Sequence, residues 1–176
     1  MTSRCWPQQE FSILLLSLVV TSYVAQAGEL PPPPKGYFND YAGVVSEAKQ
    51  HDLNERLAKF DKDTTNQVVV AIFPKMDSTL TLDEYTLRVA NSWGVGHRGK
   101  NNGVVLFVFI NDHTMRIQVG YGLNGVLTDA LSKQMLDQDL KPRFEKGDFD
   151  GGLTAGVDSI LKIIGGQHPT EHGGSK

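Results

Sequence analysis

The 176-residue sequence has one cysteine, two tryptophans and no marked excess of either charge, with 17 Lys and Arg against 20 Asp and Glu. Each shortage excludes something. Cys5 precedes the first apolar run, in a segment that reads as removable, so the mature chain holds no thiol. Disulfide scaffolding, cysteine-ligated zinc and cysteine nucleophiles are excluded together, because each needs a sulfur in the folded product. A net charge of −3 argues against a protein that grips phosphate backbones, and no nucleic-acid partner is expected. Long apolar runs are missing too. Phe11 to Val20 (FSILLLSLVV) is a run of ten residues, whereas a membrane span needs about 20.

What is present supports a packed domain. Hydrophobic residues make up 40% of the chain and charged ones 21%, a balance that disfavours disorder and coiled coils. Arg4, the apolar run, and the small residues Ala25 and Ala27 have the order of an export signal over residues 1–27, cut after Ala27. The expected destination is the periplasm or the medium, with no transmembrane anchor in the mature chain. Residues 28–36 read as a proline-rich linker built on Pro31 to Pro34. Residues 37–164 form the folded body, expected to be monomeric, and residues 165–176 a flexible tail without apolar periodicity. A domain of about 150 residues can cover roughly 68–70% of its unfolded surface, enough to hold without disulfides.

Periodicity places the elements. After Ser46, a candidate N-cap, Leu53, Leu57 and Phe60 fall on one helical face through about Lys62. Gln67 to Phe73 (QVVVAIF) is short and β-branched, hence a buried strand. Thr81 and Glu84 have capping-box spacing and open a helix whose apolar face is Leu82, Tyr85, Val89 and Trp93. Val104 to Ile110 is continuously apolar, as in a strand covered on both faces, and Met115 to Val119 alternates as its hairpin partner. A helix follows from Thr128 to about Leu140, with Leu131, Met135 and Leu140 inward and Pro142 limiting it. Another helix runs from about Gly152 to Ile164. This order predicts an α/β fold with a mixed, mostly parallel central sheet. The loop entering the central strand (Gly94 to Gly103) and the loop leaving the return strand (Gly120 to Asp129) must then share one sheet edge, where a site is expected.

Several motifs nearly match and fail on context. Gly94, Gly96 and Gly99 satisfy G-x-G-x-x-G, and Gly99-Lys100 approaches a P-loop, but both patterns need a strand before and a helix after. Here that order is reversed. Asp61, Asp63 and Thr65 spell D-x-D-x-T after a helix rather than after a strand. Asp148, Asp150 and Gly151 begin like a calcium loop, yet Ser159 stands where the bidentate glutamate belongs. The glycine loops keep their interest. Asn101, Asn102, Asn124 and Asp129 carry hard oxygens of the type calcium or magnesium takes, although Asn-Asn-Gly also makes an ordinary turn and Asp129 also suits the first turn of a helix.

Four ordered segments carry a resemblance: Tyr37 to Ser46 (YFNDYAGVVS), Trp93 with Asn101 to Phe109 (NNGVVLFVF), Val119 to Ala130 (VGYGLNGVLTDA) and Phe144 to Gly156 (FEKGDFDGGLTAG). Together they resemble the TPM-domain family of bacterial exported proteins and thylakoid-lumen relatives, over about Tyr37 to Ile164. The resemblance implies a three-layer α/β/α sandwich, divalent-cation binding in some members, acid phosphatase activity in lumenal ones, and assembly or repair of membrane complexes in others. Many relatives carry a membrane helix after the domain; none is expected here. Carried onto this chain, the family's polar positions are Asp40, Asn101, Asn102, Tyr121 and Asp129, with Asp40 expected near the opposite edge, where it could instead fix a turn.

Two functions follow as expectations. In one, a divalent cation, calcium ahead of magnesium, is held by Asp129, Asn102, Asn101 and Asp40 or by main-chain carbonyls and assists hydrolysis of a phosphate monoester. Arg98 or Lys100 would offset charge, and His97 would protonate the leaving group unless it is a plain loop histidine. In the other, the domain is a non-enzymatic, cation-stabilised module that helps assemble or maintain an envelope complex.

Overall fold

The computed structural model describes residues 30–166, so the export signal and nearly all of the tail lie outside the described residues. Three parallel strands and one antiparallel strand pair in chain order: β1 (Phe38–Asp40), β2 (Gln67–Phe73), β3 (Gly103–Phe109) and β4 (Thr114–Val119). The β-branched run of β2 and the apolar run of β3 lie at the centre of the sheet, and every residue of β3 is buried. β1 is too short to signal itself in sequence. It exists because Phe38, Asn39 and Asp40 pair with Val70, Ala71 and Ile72.

Alternation along β2 and β3 divides the core into two layers. Val68, Val70, Ile72, Val104, Leu106 and Val108 face α1 (Glu47–Thr64) and α5 (Phe149–Gly165), where Leu53, Leu57, Leu153, Val157 and Ile160 cover them. Val69, Ala71, Val105, Phe107 and Phe109 face the other way, towards Tyr85 and Val89 of α2 (Leu82–Trp93). The result is the expected three-layer α/β/α sandwich. The thinner α2 side is reinforced by aromatic contacts: Tyr41 stacks on Phe73 at 5.0 Å and Phe73 on Phe109 at 5.7 Å, each such pair adding about 0.5–1.5 kcal/mol beyond area burial. The start of the proline-rich segment also lies on this side, where the Trp93 indole donates to the Pro31 carbonyl at 2.9 Å.

α2 opens with the expected capping box, Thr81 and Glu84 each bonding the other's backbone. Ser46 makes no cap bond. Its amide and hydroxyl instead donate to the Asp150 carboxylate at 3.0 and 2.5 Å, joining the start of α1 to the first turn of α5. α5 begins earlier than the apolar pattern suggests, capped by Asp148, whose carboxylate accepts from the Gly151 amide.

Leu131 is exposed rather than inward, and Pro142 does not end the helix. α3 (Asp129–Met135) widens into a π segment (Leu136–Leu140), which turns Ser132, Met135, Leu136 and Leu140 inward. Pro142 then falls early in α4 (Lys141–Phe144), directly after the π segment. Close packing of this stretch on α5 depends on small residues: a Cβ at Gly152 would meet the Phe144 ring at 2.5 Å, and one at Gly156 would meet Leu140 at 2.5 Å.

Candidate functional site

The two glycine loops do share an edge, and they interlock. The Gly120 amide donates to the Gly103 carbonyl at 2.7 Å, and the Gly122 amide to the Asn101 carbonyl at 2.9 Å. Only glycine permits this approach. A Cβ at Gly120 would lie 2.2 Å from the Asn101 oxygen, and one at Gly122 would lie 2.1 Å from the Lys100 oxygen. The first loop is pinned from the other side as well, by Gly96 donating to the Gln67 side chain at 2.6 Å. The backbone at this rim is therefore fixed by bonds between elements far apart in sequence.

The residues singled out for a cation take separate places around this frame. Asn102 is buried: its Oδ1 accepts from the His97 amide at 2.9 Å, and its Nδ2 donates to the Thr65 carbonyl and to Asn66. Asn101 sits in the left-handed region at φ 49° and contributes its carbonyl to Gly122. Asp129, with its side chain 84% exposed, lies in the first turn of α3, 3.3 Å from Arg116. Arg116 also forms an ion pair with Asp83 at 3.1 Å, though without hydrogen-bond geometry. Asp40 stands at the C-terminal end of β1, on the opposite edge, and its carboxylate accepts three amides, those of Ala42, Gly43 and Val45, at 2.8–2.9 Å. Among the described residues, no group of three His, Cys, Asp or Glu side chains could hold a metal ion. These residues do not form one ligand set: Asp40 is bonded to its own turn at the other edge, the Asn102 oxygen braces His97, and Asp129 stands exposed against Arg116.

A different cluster forms beside the interlock. His97 Nε2 lies 2.8 Å from Asp61 Oδ1, and the Tyr37 hydroxyl donates to Asp61 Oδ2 at 2.9 Å. Asp61, only 10% exposed at its side chain, is thus held by a ring nitrogen and a phenol, while the imidazole remains 48% exposed. Burial, with the hydrogen bond and charge of Asp61 adding to it, raises the Tyr37 pKa above its ordinary value and keeps the phenol a donor. An ionised carboxylate only accepts, so the proton of a neutral His97 sits on Nε2 and Nδ1 is left as the free nitrogen. Arg98 is exposed on the same loop, without an ion-pair partner among the described residues, and Lys100 reaches Thr65 Oγ1 at 3.0 Å.

His97 and Arg98 stand out in the sequence, whereas Asp61 does not, because its partners come from other elements. A signal existed. Asp61 follows Leu53 and Leu57 at intervals of four, which puts a carboxylate on the buried stripe of α1, and a buried carboxylate needs partners.

A three-layer sandwich with a mostly parallel sheet and two interlocked glycine loops at one rim defines the class of protein. The chain belongs to the TPM-domain family, whose model, described as TPM domain, matches residues 38–163. Among solved structures it is similar to the N-terminal domain of a protein from P. gingivalis, with 30% identity and a TM-score of 0.68 over 74% of this chain and 82% of that one. The BA42 protein from Bizionia argentinensis shares the fold at 16% identity and TM-score 0.59, covering 72% of this chain and 86% of that one. The N-terminal domain of cg2496 protein from Corynebacterium glutamicum does so at 16% identity and TM-score 0.58, covering 85% and 95%. No curated protein shows significant similarity to the chain. No helix among the described residues is long and apolar enough to cross a membrane.

Proposed function

We propose that this TPM domain is an exported phosphate-monoester hydrolase working at the interlocked glycine rim, with His97 as its acid-base group. The observation that carries the reading is the 2.8 Å contact between half-exposed His97 and buried Asp61. Asp61 fixes the ring and its tautomer, Tyr37 fixes Asp61, and the Asn102 brace fixes the His97 backbone. In the reaction, water adds to phosphorus and its proton passes to Nδ1. The P–O ester bond breaks, its electron pair leaves on the alcohol oxygen, and the proton is returned there. Arg98 and Lys100 offset charge on the transferring group.

No step is routed through a cation, because Asn102 and Asp40 are engaged elsewhere and Asp129 faces Arg116. A calcium or magnesium ion at Asp129 with main-chain carbonyls would be a separate, weaker site. Asp129→Ala and His97→Gln separate the two schemes in an assay with p-nitrophenyl phosphate. Loss of turnover in His97→Gln but not in Asp129→Ala supports the reading; the reverse pattern supports the metal-assisted one.

The second reading, a module for an envelope complex, is favoured by Tyr121, which is 85% exposed in the short helical turn Tyr121–Leu123 on the rigid rim. A large aromatic presented on a fixed backbone suits a protein contact. Absence of hydrolysis in the wild-type chain, with pull-down of envelope proteins lost in Tyr121→Ala, would favour it.

A further inference from the structure

At the opposite edge of the sheet, where β3 turns into β4, lies a cavity of about 430 Å³. Its volume falls within the range of small-molecule sites. Its lining is mostly apolar: Val108 and Met115 come from the two strands, and Phe144 and Phe149 from α4 and α5, their rings tilted 5.1 Å apart. Phe144 is held in place because Gly152 leaves room beneath it. The cavity is therefore a product of helix packing.

Polar groups gather at the exposed mouth. Lys141 on α4 has no ion-pair or hydrogen-bond partner for its side chain among the described residues. His113 in the β3–β4 turn, at φ 51°, also lines the cavity. Glu145 is the one carboxylate in the lining, one helical turn beyond Lys141 and not paired with it. A lysine ahead of a glutamate by four is the weaker orientation for a helical ion pair, consistent with Lys141 remaining free for another partner.

We infer that this cavity binds a small amphipathic anion, a carboxylate on a medium-length alkyl chain, with the chain among Met115, Phe144 and Phe149 and the carboxylate at Lys141. Burying the alkyl chain supplies the affinity, and the unpaired ammonium selects the sign of the head. The site lies on the rim away from His97 and is independent of the hydrolase reading.

Titration of the chain with decanoate below its micelle concentration, followed by NMR, tests this. Shifts are expected at the Met115 methyl and the amides of His113, Thr114 and Phe144, with decylammonium binding at least tenfold more weakly. Lys141→Glu, a surface change that leaves the core intact, should abolish that preference, and Phe144→Ala should weaken decanoate at least tenfold. No shifts at millimolar decanoate, equal binding of the two head groups, or shifts confined to other parts of the domain would each overturn the assignment.

Discussion

The two rims of the sheet are built from different materials. At the glycine rim, backbone meets backbone at distances that exclude side chains, and the polar residues nearby brace the loops, leaving His97 on Asp61 as the group with a free reactive atom. At the opposite rim, Asp40 binds the turn into α1, and a cavity opens between phenylalanines. Residues of similar chemistry, Asp40 and Asp61, end in opposite roles. One satisfies three amides of its own turn; the other organises two side chains from distant parts of the chain. The difference comes from where each sits: Asp40 ends a strand, whereas Asp61 lies on the inward stripe of a helix.

The comparison can be broken most severely at the interlock. Gly120→Val should cost about 3 kcal/mol or more, because no side chain fits against the Asn101 carbonyl; urea unfolding would measure it. Leu140→Ala tests the packing behind the other rim. It should lose about 2–5 kcal/mol, since Leu140 is fully buried over Gly156, and thermal unfolding should show a correspondingly lower Tm. Asp61→Asn should be milder, about 1–3 kcal/mol, from weakened bonds to His97 and Tyr37. If it proved neutral, the carboxylate would not be organising the cluster.

The smallest effect lies at the start of α2. Thr81→Ala should cost about 1 kcal/mol at neutral pH through loss of the α2 cap. The Thr81 hydroxyl and amide, with a lesser contribution from the charge of Arg88, hold the Glu84 carboxyl below its ordinary range. A depressed carboxyl stabilises the fold above its unfolded pKa, and that contribution is lost as pH falls through the folded value. The gap between wild type and Thr81→Ala should therefore narrow on acidification through that range, as read by urea midpoints across a pH series.

Much of the frame is legible from residues alone, and the reasons are local. QVVVAIF announces a strand because β-branched residues crowd a helix, and Thr81 with Glu84 announces a helix start because the two side chains meet each other's backbone. The meeting of the glycine loops follows from strand direction. β1 is not legible, since three residues carry no period, and neither is the π segment, across which Ser132, Met135, Leu136 and Leu140, not Leu131, face inward. At the site, chemistry-bearing residue types could be read but not their partners. Asn102 and Asp129 look alike as oxygen donors in sequence; one is buried and bonded at both ends of its amide, the other stands in solvent beside Arg116.

The account rests on Asp61 acting through His97, and a double-mutant cycle on phosphate-ester hydrolysis tests that directly. The kcat/KM of His97→Gln should fall about 100-fold or more, that of Asp61→Asn by less, and the double variant should be no worse than His97→Gln alone. Hydrolysis unchanged in His97→Gln, or losses that simply multiply in the double variant, would contradict it.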